Sequence, residues 1–383
     1  MKKVFIFFTF IFLITIFASN IYAGEEKENI FNNIYSEQFK ISGADSLENS
    51  IPKESSEILK DMDIDVKDWK SIASVTPDKI FSQINKVGKK KISSPFGSLM
   101  PVLAIILLNA IIHSIKTTFG SEHIGKIISS ISTLCVCMSI VDPIVKSISS
   151  MSAVIKGAAG FILCYIPVMT TIMVASGQSI SATSYHVMMI VAGQVISQVS
   201  SNFLVPCMNT VLGISIVSST SETLNLDKIC DMFHKITKWI LGFSVSIFVG
   251  LLTLQNLVSS SADSIGSKTM KFALTSFVPV VGSALSDAFN TVEGCVKLLK
   301  SGVGAFGVIA GGAIFMPIII ECSVWIIFLH ICVYFGEIFG LTKICSLLKS
   351  SSKVMETMFA IIFASMLVLA VSTVLMLVIG GNG

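Results

Sequence analysis

The chain has 383 residues, 52% of them hydrophobic and 13% charged, with a mean hydropathy of +0.81. A soluble domain is typically about a quarter charged, so the composition argues against a soluble globular protein and for a chain that lies mostly in lipid. The net charge is only +3 and all 27 basic residues are lysine, which speaks against a nucleic-acid partner and against bidentate phosphate recognition.

Residues 1–23 read as an export signal. Lys2 and Lys3 precede the apolar run VFIFFTFIFLITIFA, and IYA ends at a small residue before Gly24. The run is short for a span, and the charged GEEKEN follows at once. An uncleaved anchor is the alternative, and on either reading residue 24 lies outside the cytoplasm.

Residues 24–95 form an exported polar segment with thirteen acidic residues and eleven lysines. In SVTPDKIFSQINKV, Thr76 suits a helix cap, Pro77 the first helical position and Asp78 the positive end of the dipole. Ile80, Phe81, Ile84 and Val87 then share a face. A segment of this size with few aromatics makes a thin core, so it is expected to be mostly helical and to order against a partner. KVGKKK closes it at the membrane surface.

Residues 96–383 are the multi-span domain. Apolar runs occupy 99–115, 127–145, 157–175, 184–200, 203–219, 237–258, 303–335 and 357–379. At about 20 residues per span, the expected fold is all-α: a polytopic integral membrane bundle of seven to nine helices, with room for one re-entrant element at 270–302. Run 303–335 is long for one span, and Pro317 and Glu321 interrupt it. With residue 24 outside, Lys116, Lys126, Lys228, Lys235 and Lys238 fall inside as expected. Lys268, Lys271, Lys297 and Lys300 fall outside, which a re-entrant element would explain.

Chemistry motifs are sparse. GSEHIGKI, residues 120–127, has Ile127 where a phosphate loop needs Ser or Thr, and no strand precedes it. The five histidines show no metal-ligand spacing, and neither GxSxG nor HExxH occurs. The residues therefore name no catalytic group, metal site or cofactor, and the chain is not read as an enzyme. All nine cysteines lie beyond the polar segment and read as packing thiols.

Polar groups within apolar runs say more. Asn109 and His113 are four apart, and His186, Gln194, Ser197, Gln198 and Ser201 fall on one side of a helix. Glu321 is costly in hydrocarbon and should face protein or water. Gly304, Gly307 and Gly311 suit close helix packing.

The stretch FVPVVGSALSDAFNTVEGC, from Phe277 to Cys295, is built differently. Pro279 and Gly282 break it. From Leu285 the apolar positions Phe289, Val292, Val296 and Leu299 form one helical stripe. Asp287, Asn290, Thr291, Lys297 and Lys300 lie away from the stripe, and Glu293 can pair with Lys297. The candidate lining or docking residues are thus Pro279, Gly282, Asp287, Asn290, Glu293, Lys297, Lys300 and Glu321. An interfacial helix that merely packs on the bundle is the plainer reading.

The sequence KFALTSFVPVVGSALSDAFNTVEGCVKLLKSGVGAFG, from Lys271 to Gly307, resembles the signature of the stage III sporulation protein AE family. Ser283 and Ser301 depart from the family pattern. The resemblance implies a multi-pass subunit of a secretion-like channel complex in the mother-cell membrane around the forespore, needed for late forespore gene expression. Implied partners are the other proteins of its operon: ring-forming intermembrane proteins, small membrane proteins and a cytoplasmic ATPase. Membrane lipid is the other partner. An autonomous small-molecule permease is the alternative, since transporters use broken helices.

Cleavage after Ala23 is expected. N-terminal sequencing of the membrane-bound protein should begin at Gly24, and a chain starting at Met1 would show an uncleaved anchor.

Overall fold

The computed structural model describes residues 28–119, 122–221, 226–277 and 282–378, and the side chains of residues 113–126 and 254–291 lie outside the described set. The described chain is helical. Three short helices, α1 (Glu28–Ser42), α2 (Lys53–Asp61) and α3 (Trp69–Ala73), precede the long ones. These are α4 (Pro77–Phe119), α5 (Glu122–Ala175), α6 (Ser179–Gln198), α7 (Val205–Thr220), α8 (Asp227–Phe277), α9 (Gly282–Ile338) and α10 (Thr342–Val378). A wide π turn, Val199–Leu204, joins α6 to α7. Pro206, near the start of α7, has no N–H to give the preceding turn.

Among the described residues, six stretches are long and apolar enough to cross a membrane: Pro95–Ile112, Ile127–Ala175, Ser179–Thr220, Asp227–Thr253, Val292–Ile338 and Thr342–Leu377. This supports a polytopic membrane protein. Runs 127–145 and 157–175 share α5 because one buried stripe bridges them: Ile140, Ile144, Ile148, Met151 and Ile155. Asp142 and Lys146 pair at 2.7 Å on the exposed side. Runs 184–200 and 203–219 likewise follow one another through the π turn. Run 303–335 stays in the single helix α9 despite Pro317. A proline inside a membrane-type helix is tolerated where neighbouring helices and side chains re-satisfy the backbone.

Contacts between side chains set the directions. Along α9, Lys300 meets Gln178, Gly307 meets Tyr165 and Glu321 meets Ser147, so α9 runs antiparallel to α5. Gly304 faces Leu377, Gly311 faces Leu369 and Cys322 Sγ reaches the Met355 carbonyl, so α10 runs antiparallel to α9. Lys353 pairs with Asp231 and His234 with Thr357, placing α8 parallel to α10. Two tight connections depend on left-handed glycines. Gly177 (φ 80°) and Gly340 (φ 68°) end α5 and α9. Around them Gln178 N–H reaches the Met173 carbonyl and Leu341 N–H the Gly336 carbonyl, each at 2.9 Å.

The polar segment does not stand apart. Tyr35, Phe39, Leu47, Ile51, Leu59 and Ile72 are buried, and α1–α3 pack on α9. Pro52 Cγ lies 3.1 Å and Trp69 Cβ 3.4 Å from where a methyl on Gly157 and Gly302 would sit. The thin core expected for this segment is completed by its own membrane domain. Burial, with the Asp68 charge adding to it, pushes the Tyr35 phenol up to about 12.

The α9 face is close-packed at its glycines. A side chain at Gly307 would overlap the Tyr165 ring, and one at Gly311 would overlap Leu369, whereas Gly312 has nothing within 4 Å. Gly307→Val and Gly311→Val should each destabilise the purified protein by about 1–3 kcal/mol through overpacking. Gly312→Ala should leave the melting temperature in detergent unchanged or slightly raised. Equal melting of all three would show that this face does not govern the packing.

Candidate functional site

Glu321 lies in the C-terminal half of α9 with a side chain 13% exposed. Its carboxylate is approached by two groups. Ser147 Oγ, on α5, donates to Oε1 at 2.7 Å. Lys91 Nζ, on α4, sits 3.6 Å from Oε2. The same ammonium lies 3.1 Å from Oε1 of Glu54, on α2 of the polar segment. One lysine is therefore held between a carboxylate of the membrane domain and one of the polar segment. A carboxylate taken from water needs such pairing and hydrogen bonding to remain charged.

Local sequence explains each position. Lys91 belongs to KVGKKK, on the helix that starts at Pro77, and its side chain is 21% exposed. Glu54 lies in the first turn of α2, where the dipole favours an acid. Ser147 rides on the buried stripe of α5 and is itself 4% exposed. A cavity of about 270 Å3 adjoins the cluster, lined among others by Pro52, Glu54, Lys91, Ser150 and Pro317.

The other sequence candidates are placed as follows. Pro279 lies outside the described residues. Gly282 is the first residue of α9, and Asp287 and Asn290 are on its first turns with side chains outside the described set. Glu293 and Lys297 pair at 3.1 Å, with side chains 21% and 53% exposed. Lys300 departs from the expected polar face: it is 5% exposed and donates to Gln178 Oε1 at 2.9 Å. The reason is tertiary. At this level α9 is enclosed on several sides, so Val296, Leu298, Leu299 and Lys300 are all buried, whereas Val292, one turn earlier, is 39% exposed. The structure thus brings Glu321 together with Lys91 and Glu54. It does not bring it to Lys300 or to the Glu293–Lys297 pair, which sit far up the same helix. Gly304, Gly307 and Gly311 meet Leu377, Tyr165 and Leu369.

Further polar pairs were not visible as pairs in the sequence. His330 Nε2 lies 3.1 Å from Glu356 Oε1 and 3.2 Å from Ser352 Oγ, linking α9 to α10. His186 Nδ1 is 3.2 Å from Thr170 Oγ1. The Gln/Ser side of α6 divides: Ser197 and Ser201 are buried, and exposed Gln198 accepts from Asn202. Asn109 is buried, and the His113 side chain lies outside the described residues. Sequence separation hid these partners. The only signal for the Glu321 cluster was a lone acid in an apolar run.

Comparison with known proteins gives the context. The family model for stage III sporulation protein AE matches residues 63–380, beginning within the polar segment. Stage III sporulation protein AE of Bacillus subtilis (strain 168) is 25% identical over 213 residues, 55% of this chain and 53% of that protein. The chain thus spans about half the length of this curated relative. No solved structure matches. With the family model covering most of the chain and the signature at Lys271–Gly307 inside it, this protein belongs to the stage III sporulation protein AE family.

Proposed function

We propose that this protein is the multi-pass core subunit of a secretion-like channel complex in the mother-cell membrane around the forespore. Its polar segment faces the intermembrane space. The observation that carries the reading is the Glu54–Lys91–Glu321 cluster, which ties the polar segment to the interior of the long helix α9. A subunit that receives partners on one side and spans the membrane needs such a rigid coupling. Family membership supports the sporulation role. Ring-forming intermembrane proteins, small membrane proteins and a cytoplasmic ATPase are its proposed partners, since those are the components the family resemblance implies.

Helix length supports the placement. At about 1.5 Å per residue, the 57 residues of α9 run far beyond the roughly 30 Å of a hydrocarbon core. Part of α9 must leave lipid, and the half covered by α1–α3 is suited to do so. Lys343 and Lys349 follow the α9–α10 turn, and Lys228 opens α8 beside it, at the end of the bundle away from the contact of Trp69 with Gly302. That end is assigned to the cytoplasm by the preference for positive charge inside.

Ser74 is exposed on the polar segment. A cysteine placed there should react with an impermeant thiol reagent before engulfment is complete. Labelling only after lysis would place the segment in the cytoplasm and overturn the topology.

The cluster itself separates coupling from mere folding. Lys91→Ala leaves Glu321 with the Ser147 hydroxyl alone, and a poorly satisfied buried acid costs about 1–3 kcal/mol. Adding Glu321→Gln should restore most of that stability, giving a coupling energy of about 1 kcal/mol or more in a double-mutant cycle. In sporulating cells Lys91→Ala should reduce late forespore gene expression with the protein still inserted, and the double variant should stay impaired because the link to Glu54 is gone. Normal expression in both would mean that the cluster serves stability only.

A further inference from the structure

Helices α6 and α7, with the π turn between them, make one apolar stretch, Ser179–Thr220, long enough to cross a membrane. Its outward face changes character along its length. Val187, Val191 and Val195 are 61%, 56% and 53% exposed, as suits contact with lipid. The next outward positions are Gln198, Asn202, Asn209 and Thr210, all exposed. Exposed Phe203 lies among them, and exposed Val217 follows. Amides therefore interrupt a face that is apolar on either side of them.

These amides are only partly provided for. Asn202 Nδ2 donates to Gln198 Oε1, and Ser201 Oγ donates to Asn202 Oδ1 at 3.3 Å. Both bonds run along the surface of the same stretch. A primary amide has two N–H groups and a carbonyl that accepts twice, so these bonds meet only part of what Gln198 and Asn202 can do. Thr210 differs, since its hydroxyl donates to the Pro206 carbonyl at 3.1 Å. Amides left open in hydrocarbon cost free energy unless protein or water meets them.

Gly213 is an independent observation on the same face. It is exposed, and a side chain there would meet nothing within 4 Å. Glycine weakens a helix relative to alanine, and at Gly304, Gly307 and Gly311 of α9 that cost is offset by the close approach of Leu377, Tyr165 and Leu369. At Gly213 the corresponding space is open. Small residues that admit a neighbouring backbone, next to amides that bond across it, are what membrane helices use to associate.

The chemistry of the face points to its occupant. Ser179–Thr220 contains no Asp, Glu, Lys or Arg, so a charged partner would find no counter-charge. Each amide is donor and acceptor at once, which makes the face complementary to itself. A two-fold axis would bring amide against amide and the open glycine against a backbone, and closed two-fold pairs are the commonest homo-oligomers. We propose that the outward face of α6–α7, from Gln198 to Gly213, is the interface with a second copy of this chain. The argument uses that face alone and does not rest on the channel reading.

The test uses full-length protein carrying donor or acceptor fluorescent tags, reconstituted in vesicles of phosphatidylcholine and phosphatidylglycerol. Wild-type copies should show energy transfer that persists on dilution with lipid and is lost on dilution with untagged copies. A triple variant, Gln198→Leu with Asn202→Leu and Asn209→Leu, should need at least about tenfold more protein per lipid for half-maximal transfer, the size expected from losing interhelical hydrogen bonds. Its melting temperature should be unchanged or raised, because leucine is at home in lipid. Gly213→Phe should weaken association as much through bulk, and the chain itself has room for the ring. Ile131→Phe, at an exposed position of α5, should leave association unchanged. Wild-type transfer no greater than that of an unrelated monomeric membrane protein with the same tags would overturn the proposal, and is the result expected if another protein or water covers the face. Unchanged association in the folded triple variant or in Gly213→Phe would overturn it as well.

Discussion

Close approach to one face of α9 is the constraint on which the rest of the structure depends. Between membrane-type helices there is little hydrophobic driving force, because lipid is as apolar as leucine, so contact distance and packing decide association. α9 meets this with glycine at 302, 304, 307 and 311, where Trp69, Leu377, Tyr165 and Leu369 come within contact distance of the backbone. Four different elements thereby share one helix as their common wall: the polar segment, α5, α10 and, through Lys91, α4.

That shared wall accounts for the position of the charged groups. Once α4, α5 and the polar segment converge on α9, Glu321 has an ammonium and a hydroxyl within reach and needs no exposure to lipid. The same geometry makes Lys91 common to Glu54 of the polar segment and Glu321 of α9. Burial of Lys300 against Gln178 follows from the same crowding. A helix enclosed on several sides turns a nominally polar position into an interior one, and a long side chain must then find an acceptor within the fold.

Much of this architecture was legible beforehand. Helix content and the apolar runs follow from local composition, and Thr76, Pro77 and Asp78 mark the start of α4, which the structure places at Pro77. The Glu293–Lys297 pair follows from spacing alone. Which apolar runs share one helix was not legible, because a polar interval resembles a boundary. The buried stripe from Ile140 to Ile155 carries α5 through such an interval without a break. Glu321 stood out as an expensive residue, but its partners lie 174 residues away at Ser147 and farther still at Lys91 and Glu54, which no local pattern can encode.

The sequence by itself determined the all-helical class, the membrane character and the family resemblance. Those depend on residue type, on periodicities of a few residues and on a contiguous motif, and each is complete within one stretch of chain. Tertiary structure alone decided which apolar runs share a helix, which carboxylates Lys91 lies between and why Lys300 is interior. These outcomes depend on which helix faces lie against one another. Such contacts between distant parts of the chain are fixed by packing and by pairing of buried charge, and neither is written in local order.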